Sequence, residues 1–245
     1  CYPHNTEKKY LFQCYEYLQG ETLAQWLHRQ EKPLNLDEIL PILQQTALAL
    51  NAMHRLEMLH QDIRPKNIMV INAENAMKIK LIDYGSTAVR GLVEINPKNA
   101  NRALGTLAFM APEYFIDHSP SVHSDQFSLA VMAYYLFTKQ LPYGTDLARC
   151  NSLKQMKKVQ YHSIRKYRPD LPIWLDKILG QALSIEPIHR FEALSELIHN
   201  LMHPSKELLN SKPPAIIERD PLRFWQMSCA VLGLLFLLSI AWPFI

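Results

Sequence analysis

The stretch HQDIRPKN, residues 60–67, places a carboxylate, a cation, a proline and an amide within one short segment. Pro65 lacks an N–H and biases Arg64 towards an extended backbone, so the stretch does not continue a helix. It follows a helical pattern over residues 37–59 and precedes the apolar run IMVI, residues 68–71. Polar loops held between regular elements often carry functional groups. The stretch therefore predicts an ordered functional loop.

The residues after this loop predict a β-hairpin. The segments IMVI (68–71) and MKIKLI (77–82) have strand character, and the turn-forming NAENA lies between them. A hairpin of this length brings the end of its second strand back beside the start of its first strand, next to the HQDIRPKN loop. We therefore expect Asp83, which follows the second strand, to lie beside the HQDIRPKN loop.

Four side chains in this region suit phosphate chemistry. Asn67 and Asp83 offer oxygen ligands, and Mg²⁺ is usually held by one or two protein oxygens together with phosphates and water. Arg64 keeps its positive charge and can face a phosphate. Asp62 is then left to accept a proton from a hydroxyl. For Asp62, the alternative is a loop carboxylate that caps its own turn, and for Asn67 and Asp83 the alternative is ordinary turn chemistry.

The composition indicates a globular chain that is not built to bind nucleic acid. Of 245 residues, 48% are hydrophobic, which is enough for a sizeable core, and the formal net charge is only +3. The sequence has no arginine-rich arm or aromatic–basic repeat, so we expect no nucleic-acid partner. Its four cysteines show no CxxC spacing. This usage fits a reducing compartment and excludes the common cysteine-based zinc sites.

Two more segments bear on the fold. Residues 10–18, YLFQCYEYL, are rich in aromatic side chains and predict a strand. The segment DQFSLAVMAYYLFTKQ, residues 125–140, is hydrophobic on nearly every face, which predicts a helix buried on all sides. Mixed strand and helix signals of this kind indicate an α+β fold in which helices dominate.

The C-terminal residues predict a membrane anchor. Residues 224–245 contain no charged side chain over 22 positions, and about 20 apolar residues cross a bilayer as a helix. Trp225 and Trp242 lie near the two ends, and Arg219 and Arg223 precede the run. Positive flanking residues favour the cytoplasmic side for the bulk of the chain. The alternative is a buried C-terminal helix, which seldom has an apolar run beyond about 14 residues.

The motifs, taken together, resemble those of the protein kinase family. HQDIRPKN is similar to the catalytic loop H-R-D-L-x-x-x-N, and DYG (83–85) is similar to D-F-G. Further segments resemble, in chain order, the hinge, the A-P-E segment, the buried helix and the late arginine motif: CYEYLQGETL (14–23), GTLAFMAPE (105–113), SDQFSLA (124–130) and EPIHR (186–190). The resemblance implies the mainly helical large lobe of the protein kinase fold, with its hinge, followed by one transmembrane helix.

This resemblance implies a role for each matching residue. Asp62 is expected to be the catalytic base, Arg64 the phosphate contact, and Asn67 and Asp83 the Mg²⁺ ligands. Thr106 is expected to orient the base and the incoming hydroxyl, with a purely structural hydroxyl as the alternative. ATP and Mg²⁺ are the implied cofactors.

The resemblance also implies a nucleotide pocket and an ion pair. Glu16 and Leu18 are expected to offer hinge backbone groups to adenine, and Met69 to form the floor of the adenine pocket as part of the core. Glu113 of the A-P-E segment is expected to pair with Arg190.

The sequence departs from the family pattern in several ways. Gln61 stands where the family has an arginine that helps to bind a phosphorylated activation loop, so we expect little dependence on that phosphate. Arg64 replaces the usual lysine. None of the seven glycines forms G-x-G-x-x-G, and no V-A-I-K lysine or helix glutamate precedes the hinge. With Cys1 as the first residue, we expect a truncated kinase whose small lobe is missing and which is inactive as it stands.

The predicted organisation has three parts: a kinase domain over residues 1–203, a proline-containing linker over 204–222 and the anchor over 223–245. The segments LPYGTDLARC, RFEALSELIHNLMHP and DPLRFWQ resemble bacterial tail-anchored bifunctional serine/threonine phosphatase–kinase proteins. That resemblance implies a metal-dependent phosphatase domain upstream of the kinase domain.

The predicted function is that of a membrane-anchored serine/threonine protein kinase, with a Ser/Thr-containing protein as substrate and membrane lipid around its C-terminal helix. One alternative is a membrane-tethered pseudokinase that only binds partners. Another is a small-molecule phosphotransferase of the antibiotic-kinase type. The FMAPE and EPIHR segments favour a protein substrate, because they resemble the substrate-binding side of protein kinases.

Overall fold

The computed structural model of the chain describes residues 14–73, 76–89, 107–116, 120–210 and 221–241. Contacts divide the chain into a unit of residues 1–205 and a unit of residues 206–245. The strands of the first unit are β1 (Glu21–Thr22), β2 (Met58–Leu59), β3 (Ile68–Ala73), β4 (Ala76–Leu81) and β5 (Ala88–Val89). Its helices are α1 (Leu23–His28), α2 (Leu36–Arg55), α3 (Val122–Thr138), α4 (Leu153–Met156), α5 (Ile173–Ala182) and α6 (Leu194–Met202).

The hairpin predicted after HQDIRPKN is confirmed. Strands β3 and β4 pair antiparallel from Ile68 opposite Leu81 to Ala73 opposite Ala76. Strand β1 adds to the free side of β3, which gives the order β1-β3-β4. A second two-stranded sheet pairs β2 with β5, so residues 88–89 lie against the strand that leads into the loop.

The strand predicted over residues 10–18 is wrong for the residues that the structure describes. Residues 14–19 have no regular secondary structure, and residues 10–13 lie outside the described part of the chain. Tyr15 and Tyr17 are 75% and 90% exposed. Their aromatic side chains, which gave the strand signal, therefore pack against little of the described structure. From Cys14 onward, the part that the structure describes, regular strand pairing begins at β1.

Helix α2 is confirmed, with shifted ends. It begins after Asn35, whose side chain accepts from the Glu38 N–H at 3.0 Å, while the Glu38 carboxylate accepts from the Asn35 N–H at 2.8 Å. This reciprocal pair is a capping box, and it moves the start ahead of the predicted Asp37. Because the helix starts earlier than predicted, Pro41 is its sixth residue and lies beyond the first turn, where its missing N–H removes one i→i−4 hydrogen bond. The helix ends at Arg55, and the left-handed backbone of Glu57, with φ 55°, turns the chain towards β2.

Helix α3 is the buried centre of the first unit, as predicted. Its residues from Ser124 to Ala133 are all buried, and Tyr134, Leu136 and Phe137 continue the buried set. Helices α2, α5 and α6 pack against it. Buried area of this extent is the main stabilising contribution to a domain.

The second unit contains α7 (Lys206–Leu209) and α8 (Pro221–Ala241). Helix α8 covers most of the segment that the sequence predicts to be an anchor. Across the parts of the chain that the structure describes, no helix meets both the length and the apolar character needed to span a bilayer.

Candidate active site

The HQDIRPKN loop has the conformation that its proline predicts. Arg64 is extended, with φ −162° and ψ 159°, and Pro65–Asn67 form a single 3₁₀ turn. The Asn67 N–H donates to the Arg64 carbonyl at 2.9 Å, which closes the turn. The turn buries Pro65 and Asn67 and leaves Lys66 exposed.

Asn67 holds Asp62 in place. Its Nδ2 donates to the Asp62 Oδ2 at 2.7 Å and to the Asp62 carbonyl oxygen at 2.9 Å. Both hydrogens of the amide are used by these bonds. The amide oxygen of Asn67 is therefore the atom left to accept from another group or to bind a cation.

The hairpin brings Asp83 to this loop, as the sequence predicts. The Ile82 N–H donates to the Asn67 carbonyl at 3.0 Å, which ties the residue before Asp83 to the loop. Asp83 is exposed and has a left-handed backbone, with φ 64° and ψ 73°. Its Oδ1 accepts from the Gly85 N–H at 3.3 Å. The loop and the hairpin thus place two oxygen-bearing side chains, Asn67 and Asp83, at one site.

The donor set of this site suits Mg²⁺ held partly by a substrate. Within the described residues, no group of three or more His, Cys, Asp or Glu side chains is arranged to hold a metal ion. Asn67 and Asp83 offer one amide oxygen and one carboxylate, which are hard ligands. Mg²⁺ is commonly bound by this few protein oxygens when phosphates and water complete its shell.

Asp125 fixes the backbone ahead of Asp62, a role that the sequence did not predict. Its Oδ2 accepts from the His60 N–H at 3.0 Å, and its Oδ1 accepts from the Gln61 N–H at 2.9 Å. The His54 Nε2 lies 2.9 Å from the same Oδ2. Gln61 has φ 63°, which is unfavourable for a residue with a Cβ. The hydrogen bond that the Gln61 N–H donates to the Asp125 carboxylate keeps Gln61 in this conformation.

His60 packs behind the loop. It is fully buried, and its ring lies 5.6 Å from the ring of Tyr84, centroid to centroid. Burial lowers the pKa of His60 below 6.5, although the carboxylate of Asp125 and the backbone of Ile82 oppose the shift. The imidazole is therefore neutral at pH 7 and packs as part of the core between the loop and the DYG segment.

A cleft opens beside Asp83. It has a volume of about 660 Å³, and its lining includes Glu16 and Leu18 from the predicted hinge, Met53 from α2, and Asp83. Further lining residues come mainly from β4 and the DYG segment: Ile79, Lys80, Leu81, Ile82 and Tyr84. Apolar side chains line it together with a few charged ones, Glu16, Lys80 and Asp83, which is typical of a small-molecule site.

The remaining predicted site residues are placed as follows. Met69 is half-buried on β3, opposite Lys80 on β4, and it is absent from the cleft lining that the described residues form. The Glu16 side chain points to solvent and pairs with Lys80 at 2.6 Å. Arg64 is half-buried in the loop. Thr106 lies outside the described residues.

The ion pair predicted between Glu113 and Arg190 is present and buried. The two guanidinium nitrogens donate to the two carboxylate oxygens at 2.9 Å each. Ser124 donates to the same carboxylate at 2.7 Å, and the guanidinium lies 4.8 Å from the Phe127 ring centroid. Burial alone would raise the pKa of Glu113, but Arg190 and Ser124 outweigh it and hold that pKa below 4.5.

Three features together are typical of the protein kinase fold. They are the loop that joins Asp62 to Asn67, the neighbouring Asp83 and the buried Glu113–Arg190 pair. The chain matches the protein kinase domain family over residues 1–204 and belongs to that family.

Known proteins of this family are similar along most of the chain. It is 26% identical to the serine/threonine-protein kinase PrkC of Bacillus subtilis over 182 aligned residues. These residues cover 74% of this chain and 27% of PrkC. It is 31% identical to the serine/threonine-protein kinase pkn3 of Myxococcus xanthus over 185 aligned residues. These residues cover 74% of this chain and 34% of pkn3. The chain thus spans about a third or less of the length of these two relatives.

Solved structures of kinase domains share the fold of this chain. The crystal structure of the Mycobacterium tuberculosis PknI kinase domain is 25% identical, with a TM-score of 0.58, over 76% of this chain and 63% of that one. The similarities identify a protein kinase domain of the bacterial serine/threonine type.

Proposed function

We propose that the chain acts within a serine/threonine protein kinase that transfers the γ-phosphoryl group of ATP to a protein hydroxyl. The contact that carries this proposal is the pair of hydrogen bonds from Asn67 to Asp62, at 2.7 and 2.9 Å. They orient a carboxylate on the loop to which the Ile82 N–H is bonded, and Ile82 and Asp83 both line the cleft. A positioned carboxylate beside a phosphate site is what phosphoryl transfer requires of a protein.

In the proposed reaction, Asp62 accepts the proton of the substrate hydroxyl. The hydroxyl oxygen bonds to the γ-phosphorus as the bond from that phosphorus to the ADP oxygen breaks. Arg64 offers positive charge to the transferred group, and Thr106 orients the hydroxyl. Asn67 keeps the Asp62 carboxylate in a single orientation, which removes the need to reorganise it during the reaction.

The proposal assigns Mg²⁺ to the Asn67 amide oxygen and the Asp83 carboxylate. When bound, Mg²⁺ neutralises the charge that develops on the phosphates. The hinge backbone at Glu16 and Leu18 would receive adenine, while Met69 has no supported role in the pocket because it does not line the cleft that the described residues form. The positions of Glu16, Leu18 and Asp83 in one cleft lining support this arrangement.

The 245 residues contain no G-x-G-x-x-G segment and no V-A-I-K lysine. In this family those motifs cover and clamp the phosphates. We therefore expect weak nucleotide binding and little or no transfer by the 245-residue chain itself. The alternative function is a membrane-tethered pseudokinase that binds partners without transferring phosphate, and the presence of Asp62, Asn67 and Asp83 argues against it.

Phosphate transfer tests the first candidate against the second. The protein is expressed from the natural start of its reading frame and incubated with labelled ATP, Mg²⁺ and a panel of protein substrates, beside an Asp62→Asn variant. Transfer that is lost in the variant supports the kinase. Absence of Asp62-dependent transfer from a folded protein would refute the kinase and leave the pseudokinase.

We also propose that residues 223–245 anchor the protein in a membrane, with the kinase domain in the cytoplasm. The uncharged run over residues 224–245 and the flanking Arg219 and Arg223 support this. Membrane lipid and Ser/Thr-containing proteins are then the expected partners.

Flotation of the purified chain with lipid vesicles tests the anchor. A Leu232→Arg/Leu235→Arg double variant should stay with the soluble fraction, because each charge at mid-bilayer costs about 3 kcal/mol. Equal flotation of the two proteins would refute the anchor.

The similarity of the C-terminal segments to bifunctional phosphatase–kinase proteins also leads us to propose an upstream metal-dependent phosphatase domain. Sequencing the gene upstream of Cys1 tests this directly. An open reading frame without such a domain would refute it.

A further inference from the structure

Two histidines lie one turn apart at the C-terminal end of α6. His199 is in the last turn of the helix, and His203 is the residue at its C-cap. The His203 N–H donates to the His199 carbonyl at 2.7 Å, so the backbone keeps helical spacing between them. Residues four apart on a helix lie on the same face. The two imidazole rings are 5.2 Å apart, centroid to centroid, with an interplanar angle of 52°.

Both rings are accessible to a ligand. His199 and His203 are exposed, whereas the core side of α6 is formed by Leu194, Leu197 and Leu201. Within the residues that the structure describes, neither ring forms a hydrogen bond or an ion pair with another side chain. The ring nitrogens can therefore bind a ligand without breaking an existing contact.

The separation of the two rings suits a metal ion that both imidazoles bind. Zn²⁺ lies ~2.0–2.1 Å from a ligating imidazole nitrogen, which puts the centroid of that ring about 3.2 Å from the ion. Two rings at the tetrahedral angle that Zn²⁺ prefers would have their centroids about 5.2 Å apart. The centroids of His199 and His203 have this separation in the structure.

The end of the helix also favours a cation. The last carbonyl groups of a helix lack helical partners and give its C-terminus a partial negative charge. Glu196 lies three residues before His199, but its Oε2 accepts from the Glu192 N–H at 3.1 Å, towards the start of α6. The pair of imidazoles is therefore the ligand set, and the described residues contain no metal-binding group of three or more such side chains.

We propose that His199 and His203 form a binding site for a divalent late transition-metal ion, with Zn²⁺ as the expected occupant. Imidazole suits zinc, copper and nickel, whereas Mg²⁺ prefers oxygen ligands. Water completes the coordination shell, because the chain supplies two ligands. This site uses none of the residues of the proposed Mg²⁺ site, Asn67 and Asp83, and it does not depend on kinase activity.

Zinc binding by the chain tests the proposal. The protein is purified without a polyhistidine tag, treated with EDTA and exchanged into metal-free buffer, and binding of ZnCl₂ is measured by isothermal titration calorimetry. The variants are His199→Gln, His203→Gln and the double variant. His28→Gln is the matched control, because His28 is an exposed histidine in the last turn of another helix, α1. Circular dichroism checks that each variant is folded, as expected for exposed positions.

We expect the wild-type chain to bind one Zn²⁺ more tightly than any further Zn²⁺. Each single variant should weaken this binding at least about tenfold, since even the loss of a group that only supports a metal ligand costs roughly 10- to 100-fold. His28→Gln should change it by less than about twofold. Cu²⁺ should bind more tightly than Zn²⁺, and Mg²⁺ should not compete.

Thermal unfolding gives a second measurement. A ligand that binds the folded protein raises its unfolding midpoint, so Zn²⁺ should raise the midpoint of the wild-type chain and not that of the double variant. A rise of equal size in the double variant would place the ion elsewhere and overturn the proposal. Absence of a tight Zn²⁺ site in the wild type, a single variant that binds as tightly as the wild type, or an equal loss in His28→Gln would also overturn it.

Discussion

The Asn67 side chain donates both of its amide hydrogens to Asp62, one to the carboxylate at 2.7 Å and one to the backbone carbonyl at 2.9 Å. A single side chain thereby sets both the rotamer and the backbone of the proposed base. The same residue is left with an amide oxygen for a cation. Its two proposed roles, positioning the base and binding Mg²⁺, can be separated by substitution.

Asn67→Asp keeps an oxygen for Mg²⁺ but replaces the donor with a second carboxylate facing Asp62. We expect the kcat of the protein expressed from its natural start to fall at least about 100-fold, because the base is no longer held by an amide donor and a second carboxylate faces it instead. Phosphate transfer from labelled ATP measures the effect. Asn151→Asp, an exposed position away from the loop, is the control. A kcat within a few-fold of wild type would contradict the positioning role.

Asp125→Ala should destabilise the first unit. The substitution leaves the His60 and Gln61 N–H groups without their acceptor, and each buried unsatisfied group costs about 1–3 kcal/mol. We expect the free energy of unfolding in urea to fall by about 3 kcal/mol. The matched control is Asp146→Ala, which removes an exposed carboxylate 3.7 Å from Arg149 and should change stability by less than about 0.5 kcal/mol. Equal stability of the two variants would show that Asp125 does not hold the loop.

Glu113→Gln should lower the free energy of unfolding at pH 7 by about 3 kcal/mol, because it leaves the buried Arg190 guanidinium without a charged partner. The pKa of Glu113 is lowered in the folded state relative to 4.5. Its contribution is therefore complete above pH 4.5 and is lost as the pH falls through the folded-state pKa.

Urea unfolding across that acid range measures the effect. The stability difference between wild type and Glu113→Gln should shrink as the pH falls below 4.5. A difference that is constant with pH would mean that the Glu113 carboxylate has the same pKa in the folded and unfolded states.

Two glycine substitutions should have opposite effects. A Cβ at Gly20 would overlap the backbone carbonyl of Val70 on β3, so Gly20→Ala should cost about 1–3 kcal/mol or displace β1. A Cβ at Gly180, inside α5, would lie 3.6 Å from the Tyr161 ring, an ordinary contact. Gly180→Ala should therefore stabilise by roughly 0.5–1 kcal/mol. Thermal unfolding of both variants tests the pair, and a shift of the same sign would contradict the packing around Gly20.

Much of the site followed from local patterns. Pro65 set the extended Arg64, the spacing of IMVI and MKIKLI predicted the hairpin that returns to the loop, and the apolar run after Asp125 predicted the buried α3. The Glu113–Arg190 pair came from family resemblance rather than from the local pattern. Over residues 14–18, the described part of the predicted strand, the signal failed because exposed aromatic residues carry the same local signature as half-buried ones.

Asp125 was missed because its role is entirely long-range. Its partners lie 65 and 64 residues earlier in the chain, at His60 and Gln61, and no local pattern records that distance. One signal was available: Asp125 is a carboxylate at the head of a helix that is otherwise buried, and a buried charge requires compensating donors.

The distance between Asp125 and its partners also affects the nascent chain on the ribosome. The HQDIRPKN loop leaves the ribosome well before α3, which begins at Val122 and carries the carboxylate that fixes the loop. At ~5–20 residues per second, the intervening 65 residues take roughly 3–13 seconds to synthesise. During that interval the emerging polypeptide carries Asp62 and Asn67 on an unfixed backbone, so phosphate transfer should begin only after α3 has been made and has docked.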